Sequence, residues 1–366
     1  MYSGIRVKVF RSVDEIGKDT IDSIADDPFF TFGWFRTLET QQTYKVSPIY
    51  LAVYNESNVL GVVPLFIELM EPNPKDLFSK FLNLGHRIGF YQNRMLNCYS
   101  PFCLRSKVLL SHDQQEKLVL DLVSKKIDAI CKKQKILISN FSFVSEFDRL
   151  LFENMQSYGY RKRSGITTLY IDVQWSSFED YLKSLKPKTR EHVRREIRKC
   201  KENGVTIEEA ELDDLATKLS ELYTNLALKY DKNAKKIFDP YFFSMLNKYA
   251  KEKTKLFIAK KNGEVIGFSL SLRHRDILDV MIVGFNYAMR TNTDFSYFNL
   301  CFYAPINYAI ESGVKKIYYR FLMEKIKLDR GCKQEKTYGF VKYHNKLLRV
   351  LIGYAVKNPI LVYLRS

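Results

Sequence analysis

Two stretches of the chain share one layout. PIYLAVYNESNVLGVVPLFIE (residues 48–68) and KLFIAKKNGEVIGFSLSLRH (255–274) each read as an apolar strand, a short hydrophilic turn, then valine or isoleucine, glycine and a second apolar strand. Asn262-Gly263 is a hairpin signal, because the tight turn between twisted strands needs positive φ at both central residues. Repetition of such a unit in both halves points to an internal duplication. With 366 residues, the chain also exceeds what one hydrophobic core usually serves, so two lobes are expected.

Helices fall around these hairpins. DQQEKLVLDLVSKKIDAICKK (113–133) spaces Leu118, Leu122 and Ile130 along one helix, and SEFDRLLFENMQSYG offers Ser145 as N-cap and Gly159 beyond the end. In the second half DDLATKLSELYTNLALKY (213–230) is helical, and DPYFFSMLNKYAK follows with Asp239 as cap and Pro240 at the first helical position. Strands are expected at 165–173, 277–286 and 315–322, with a helix over 296–313 that ends at Gly313 and is kinked or restarted by Pro305. Each half is therefore mixed α/β, an antiparallel meander followed by a helix and another strand. A boundary near residue 160 gives lobes 1–160 and 161–345, with an amphipathic tail at 346–366.

Charge narrows the partners. The net charge of +17 favours something polyanionic: nucleic acid, an anionic membrane face or a phosphate-bearing small molecule. Cys98, Cys103, Cys131, Cys200, Cys301 and Cys332 lack metal-ligand spacing, so no metal is expected and reduced thiols in a cytoplasm fit. MYSGIRVKVF has no apolar core of a signal peptide, and no run of about 18 uncharged apolar residues occurs.

The basic segment LKPKTREHVRREIRKCKENG (185–204) reads as a helix with Val193, Ile197 and Cys200 on its apolar stripe. Glu191, Arg195 and Lys199 form a compensated row, whereas Arg190, Arg194, Arg198 and Lys201 align with no acid among them. A solvated amphipathic helix and a phosphate-contacting helix both satisfy this pattern. Sequence-specific DNA readout does not, since no helix-turn-helix accompanies it and no Asn or Gln stands among the basic residues to read base edges.

SSFEDYLKSLKPKTREHVRREIRKCKENGV resembles the segment entering the second domain of FemAB-like proteins, which are tandem GNAT-fold acyltransferases. DPFFTFGWFRTLE (27–39), FSYFNLCFYAPINYAIESGV (295–314) and KIKLDRGCKQEKTYGF (325–340) are similar to signatures of the subgroup labelled peptidoglycan biosynthesis or recognition, in the same order. The resemblance implies two tandem GNAT-like lobes, each a mixed, largely antiparallel sheet flanked by helices, with the active site in the second. There are departures. The subgroup's His-Phe-Glu is Tyr297, Phe298 and Asn299 here, and its Glu-His-Lys is Lys325, Ile326 and Lys327 before Arg330 and Gly331. The glycine-rich pyrophosphate loop of acetyl-CoA enzymes is replaced by YAMRTNTDFSYF (287–298).

The resemblance implies transfer of an acyl or aminoacyl group to an amine, with acyl-CoA or aminoacyl-tRNA as donor. The acceptor would be a small-molecule or lipid-linked amine such as a cell-envelope precursor. In a GNAT-like sheet the acyl arm lies where strands 277–286 and 315–322 splay. Lys327 and Arg330 follow the second strand and are candidates to neutralise an oxyanion or hold phosphate. Glu324 is the leading general base and Asp294 the runner-up. Arg290, Tyr297 and the Arg190, Arg194, Arg198 row are candidates for substrate or phosphate contact. Surface pairing of Lys327 and Arg330 with Asp329 or Glu324 remains open. So does a non-catalytic tandem-lobe protein whose basic face binds RNA or anionic membrane, and so does peripheral membrane contact by the 346–366 tail.

Overall fold

The computed structural model describes residues 4–43, 47–69, 92–111, 115–232, 234, 236–290 and 293–345; the 346–366 tail lies outside them. Two compact units form. One draws its described residues from Met1–Ala25, Val46–Ile166 and Lys336–Ser366, the other from Asp26–Lys45 and Thr167–Glu335. Residues 26–45 and 336–345 therefore lie with the opposite unit from the one that a single cut near residue 160 would give them.

The first unit's sheet runs β1 (Ile5–Phe10), β2 (Ser47–Asn55), β3 (Asn58–Leu69), β4 (Gln92–Cys98), β6 (Ile136–Ser145) and β13 (Lys333–Tyr343), with the short β5 (Leu109–Leu110) beside β3. Every pairing along it is antiparallel except β4 with β6. Helix α3 (Glu116–Lys133) lays Val119, Leu120, Val123, Ile127 and Ile130 on this sheet, burying them with Leu51, Val63 and Phe141. Two shorter helices, α1 (Lys18–Ile24) and α4 (Arg149–Asn154), complete the unit. The α4 helix is shorter than the 145–159 expectation, because β6 continues through Ser145 and Asp148 caps the helix instead, accepting from the Leu151 N–H at 3.0 Å.

The second unit repeats the order: β8 (Val205–Ala210), β9 (Thr254–Lys261), β10 (Glu264–His274), β11 (Ile277–Phe285), β12 (Lys316–Tyr318) and β7 (Arg161–Asp172), again with one parallel pair, β11 with β12. The β2–β3 and β9–β10 hairpins bulge at the same place. Leu60 and Ile266, each immediately before the glycine of the repeated motif, are the extra residues in their ladders. Asn262 and Gly263 have φ of 52° and 80°, as the turn requires.

Helices of this unit are α2 (Phe32–Thr40), α5 (Phe178–Ser184), α6 (Pro187–Glu202), α7 (Ala216–Tyr230) and α8 (Pro240–Ala250). Asp239 caps α8 from the side chain, 2.8 Å from the Phe242 N–H. The motif DPFFTFGWF packs here: Trp34 meets Phe29 and Phe242 edge-on, and a Cβ on Gly33 would lie 2.2 Å from the Tyr249 carbonyl, so only glycine lets α2 approach α8 this closely. Helix α9 runs from Ser296 to Ser312 with a π-helical turn at Asn299–Tyr303 and stops at Gly313, φ 73°. The π turn precedes Pro305, which has no N–H to donate to the Cys301 carbonyl. A last short helix, α10 (Glu324–Asp329), follows β12. All six cysteines are buried, and none forms a disulfide.

Candidate active site

The parallel pair at the centre of the second unit comes apart. β11 and β12 are in register at Ile277–Lys316, Leu278–Ile317 and Asp279–Tyr318, and there the pairing ends while β11 runs on to Phe285. The cause lies in both strands. Tyr319 donates to the Leu169 carbonyl at 2.8 Å and Arg320 accepts from the Leu169 N–H at 2.8 Å, so the chain swings toward β7. Arg320 and Met323 both take φ of 59°, a corner that ends the strand expected to reach residue 322. On β11, Met281 is an extra residue between the Leu270–Ile282 and Ser271–Val280 pairs, and such a bulge twists its strand away from the regular ladder. Arg320 bridges the opening, its Nε 3.4 Å from the Val280 carbonyl and 3.6 Å from the Asp279 carboxylate. In the first unit the corresponding β4–β6 pair holds register from Met95–Ile138 to Cys98–Phe141, the end of β4.

Lys327 sits just beyond this opening. Only 6% exposed, it donates from Nζ to the Tyr319 carbonyl at 2.6 Å. Burial lowers its pKa to about 8, offset in part by the nearby thiols of Cys332 and Cys301. The surface pairing with Asp329 or Glu324 left open by the sequence is therefore not its environment.

Arg330 is buried one turn later and is held on several sides. Nη2 reaches both Glu196 oxygens at 2.9 Å, Nε the Tyr303 hydroxyl at 2.8 Å, and Nη1 the Ile326 carbonyl at 3.2 Å. Its guanidinium lies 4.1 Å from the Phe298 ring centre. The Tyr303 hydroxyl also donates to Glu196, His192 Nε2 stands 3.1 Å from the same carboxylate, and the Tyr181 hydroxyl donates to the Arg330 carbonyl at 3.1 Å. With its donors so engaged, Arg330 anchors α10 to α6; holding a phosphate would require breaking a buried ion pair.

The other expected residues are placed as follows. Asp294 is fully buried and accepts from the Ser296 N–H at 2.9 Å, so a carboxylate already occupies the N-terminus of α9. Arg290 donates to Ser296 Oγ at 3.1 Å with its guanidinium 4.8 Å from the Phe285 ring centre, and Tyr297 packs tilted against the same ring, 5.8 Å between ring centres. Glu324 is exposed and accepts from the Gln334 amide. Lys327 and Glu324 thus share α10, with Arg330 at its C-terminal cap, while Asp294, Arg290 and Tyr297 gather at the start of α9.

The basic helix α6 is less bare than its sequence. Arg190 donates to the carbonyls of Leu182, Lys183 and Leu185 at 2.9, 3.0 and 3.2 Å and closes the end of α5. Arg194 pairs with Glu179 of α5, and Arg198 lies 3.6 Å from Glu202. The Glu191–Arg195–Lys199 row does not form as expected: Arg195 bonds His192 Nδ1 at 2.9 Å and Lys199 pairs with Glu202 at 2.8 Å. Sequence reasoning missed Glu196, Tyr303 and His192. The available signal was Glu196 itself, a carboxylate in the i+3 place between Val193 and Cys200 on the buried stripe, where an unpaired charge is costly and a buried partner must exist.

Comparisons with known proteins agree with this architecture. Residues 12–358 match the FemAB-like family, described as peptidoglycan biosynthesis/recognition. The crystal structure of FemX is similar at a TM-score of 0.65 and 13% identity, covering 94% of this chain and 99% of that one. The C-terminal domain of a proposed lysylphosphatidylglycerol synthetase from Agrobacterium fabrum gives 0.56 and 12%, covering 91% and 92%. A tandem GNAT protein from the clavulanic acid biosynthesis pathway gives 0.53 and 11%, covering 93% and 99%. No curated protein sequence matches. With the family matched over nearly its whole length, the chain belongs to the FemAB-like family, and its repeated sheet order is that of a tandem GNAT fold.

Proposed function

We propose that the protein transfers an aminoacyl group from aminoacyl-tRNA to the amine of a cell-envelope precursor, at the opening between β11 and β12. The observation that carries this reading is the parted parallel pair with a buried lysine beside it. An acyl carbonyl lying in the opening would meet two kinds of donor: backbone groups freed by the bulge at Met281, and the Lys327 ammonium. The amine attacks the ester carbonyl, the negative oxygen of the tetrahedral intermediate is stabilised by those donors, and the C–O bond to the ribose breaks. The nucleophile's proton leaves to a base, for which Glu324, one turn before Lys327 on α10, is our candidate, and is returned to the departing ribose oxygen, which leaves as a hydroxyl.

Asp294 favours tRNA over coenzyme A as donor. A pyrophosphate on a GNAT-like sheet is expected at the N-terminus of the helix after the splayed strand, where free N–H groups and the helix dipole attract anions. Here a buried carboxylate is already hydrogen-bonded there, and a second anion would be repelled. The family's description, peptidoglycan biosynthesis/recognition, adds to the case for an envelope acceptor.

Calorimetric titration with coenzyme A and acetyl-coenzyme A should show no micromolar binding, and single-turnover assays with charged tRNA should show transfer. Lys327→Met should lower the transfer rate about 100- to 1,000-fold with the fold intact. In the parent protein the contribution of the ammonium should fade as pH rises through about 8, where Lys327 loses its proton. Micromolar binding of coenzyme A would overturn the choice of donor.

A further inference from the structure

Asp27, Glu196, Asp279, Asp294 and Glu335 are the buried carboxylates of the described chain. The first four are accounted for. Asp27 and Asp294 accept from the backbone N–H groups of Phe29 and Ser296 at 3.0 and 2.9 Å, Glu196 binds Arg330, and Arg320 stands 3.6 Å from Asp279. Glu335 is different. It is 3% exposed, and its Oε2 is enclosed without a hydrogen-bond partner among the described residues. A buried carboxylate left in this state is costly, and a group from outside the chain would complete it.

The sheet fixes where such a group would lie. Gln334 donates to Glu324 of α10, so strand alternation turns Glu335 to the opposite face. On β7, Leu169 and Ile171 pack with Phe302 and Ile306 of α9, which leaves Thr168 and Asp172 on that same opposite face. The Lys333–Asp172 bond at 2.8 Å matches the two strands on it. Thr168 Oγ1 reaches the Glu335 carbonyl at 3.3 Å, and Leu169 beside it bonds Arg320. Glu335 therefore lies across β7 from the Arg320 corner, two strand spacings or about 10 Å from the opening. The nearby cations are committed, Lys333 to Asp172 and Arg320 to Asp279 and the Val280 carbonyl.

We propose that Glu335 binds an alkylammonium group of the substrate, a charge distal to the carbon that reacts in the β11–β12 opening. The separation rules out the attacking amine and the α-amine of an aminoacyl ester, which lie within a bond or two of that carbon. The ammonium is thus a basic side chain on the aminoacyl group or a second amine on the acceptor. A divalent cation would want several oxygen ligands, and Glu335 brings a single carboxylate. With so little of the residue open, a slender unbranched ammonium fits. The separation rests on the opening being the place of reaction; the ammonium site itself does not.

Saturation-transfer NMR with pentylammonium chloride, and with pentanol as its uncharged counterpart, tests the site without donor or acceptor. The parent should bind the ammonium and not the alcohol. Glu335→Gln should weaken binding about tenfold or more, while Glu264→Gln, which removes an exposed acid beside the β9–β10 turn, should leave it unchanged. If Glu335→Gln does not fold, the melt of the parent decides: pentylammonium chloride should raise it above equal sodium chloride, and pentanol should not. Equal binding by parent and Glu335→Gln, or none by the parent, overturns the proposal. In transfer assays the variant's loss should be confined to lysine-charged over alanine-charged tRNA if the ammonium belongs to the donor, and shared by both if it belongs to the acceptor. No loss with either would separate the site from the reaction, and the proposal falls. A parent that transfers nothing would instead defeat the assigned reaction, with the ammonium site still decided by the NMR result.

Discussion

Lys327 is the residue whose chemistry is most at odds with its surroundings, and that can be measured without any substrate. Its folded pKa of about 8 lies below the ordinary lysine value of about 10.5. Below pH 8 both folded and unfolded chains carry the proton, and folding bears the full cost of burying it, roughly 3 kcal/mol. Between pH 8 and 10.5 only the unfolded chain is protonated, so stability rises with pH; above that range both are neutral and the cost is gone. Lys327→Met keeps the volume and removes the charge at the loss of one bond to Tyr319, worth about 1 kcal/mol. The variant should therefore be about 1–2 kcal/mol more stable than the parent at pH 7 in urea titration. The difference should shrink by over about 1 kcal/mol at pH 9.5, and equal gaps at both pH values would mean that the lysine is not buried as an ammonium. A stability penalty at this position is what a site retained for chemistry entails. Sequence reading found Lys327 and Arg330 through their resemblance to a family signature. It could not find that Arg330 is consumed by Glu196 and Tyr303, because those partners lie 134 and 27 positions away in the chain.

At the scale of elements, the repeated hairpins were legible because their information is local: alternation, a turn dipeptide and a glycine. The structure adds that the residue before each glycine is a bulge, which the motif contained without announcing. What failed was also physical. A strand over 315–322 has the right composition, but Arg320 enters the left-handed region to form the corner that opens the site, and no side-chain pattern signals that. Ser145 was an equally good cap by type as Asp148, and tertiary pairing of β6 with β13 decided against it. The bulged half of β11 depends on Gly284. A Cβ there would lie 2.6 Å from the Leu222 carbonyl carbon and the Tyr223 nitrogen of α7, and 2.4 Å from the Phe268 ring. Backbone cannot step aside as a side chain does, so Gly284→Ala should cost about 1–3 kcal/mol in urea unfolding by forcing α7 off the strand. An unchanged midpoint would show that α7 can slide freely over β11.

The whole molecule is a duplicated design with one parallel strand pair in each copy, and two strands divide between the copies. β7 gives Arg161–Ile166 to the first unit and Thr167–Asp172 to the second, and β13 divides again after Glu335. Residues 26–45, far from the rest of the second unit in sequence, supply Phe29, Trp34 and the Gly33 contact to α8. Periodicity along a sequence cannot reveal this, because a helix that packs on its own unit and one that packs on another have the same stripe. The consequence is a fragment test. Residues 161–345 alone would leave Phe242 without its Trp34 edge contact and α8 without α2, so the fragment should lack near-ultraviolet circular dichroism and bind a hydrophobic dye. A peptide of residues 26–45 added in trans should restore the signal and a cooperative melt. If residues 161–345 melt cooperatively without it, the DPFFTFGWF segment is a surface attachment rather than part of the second core.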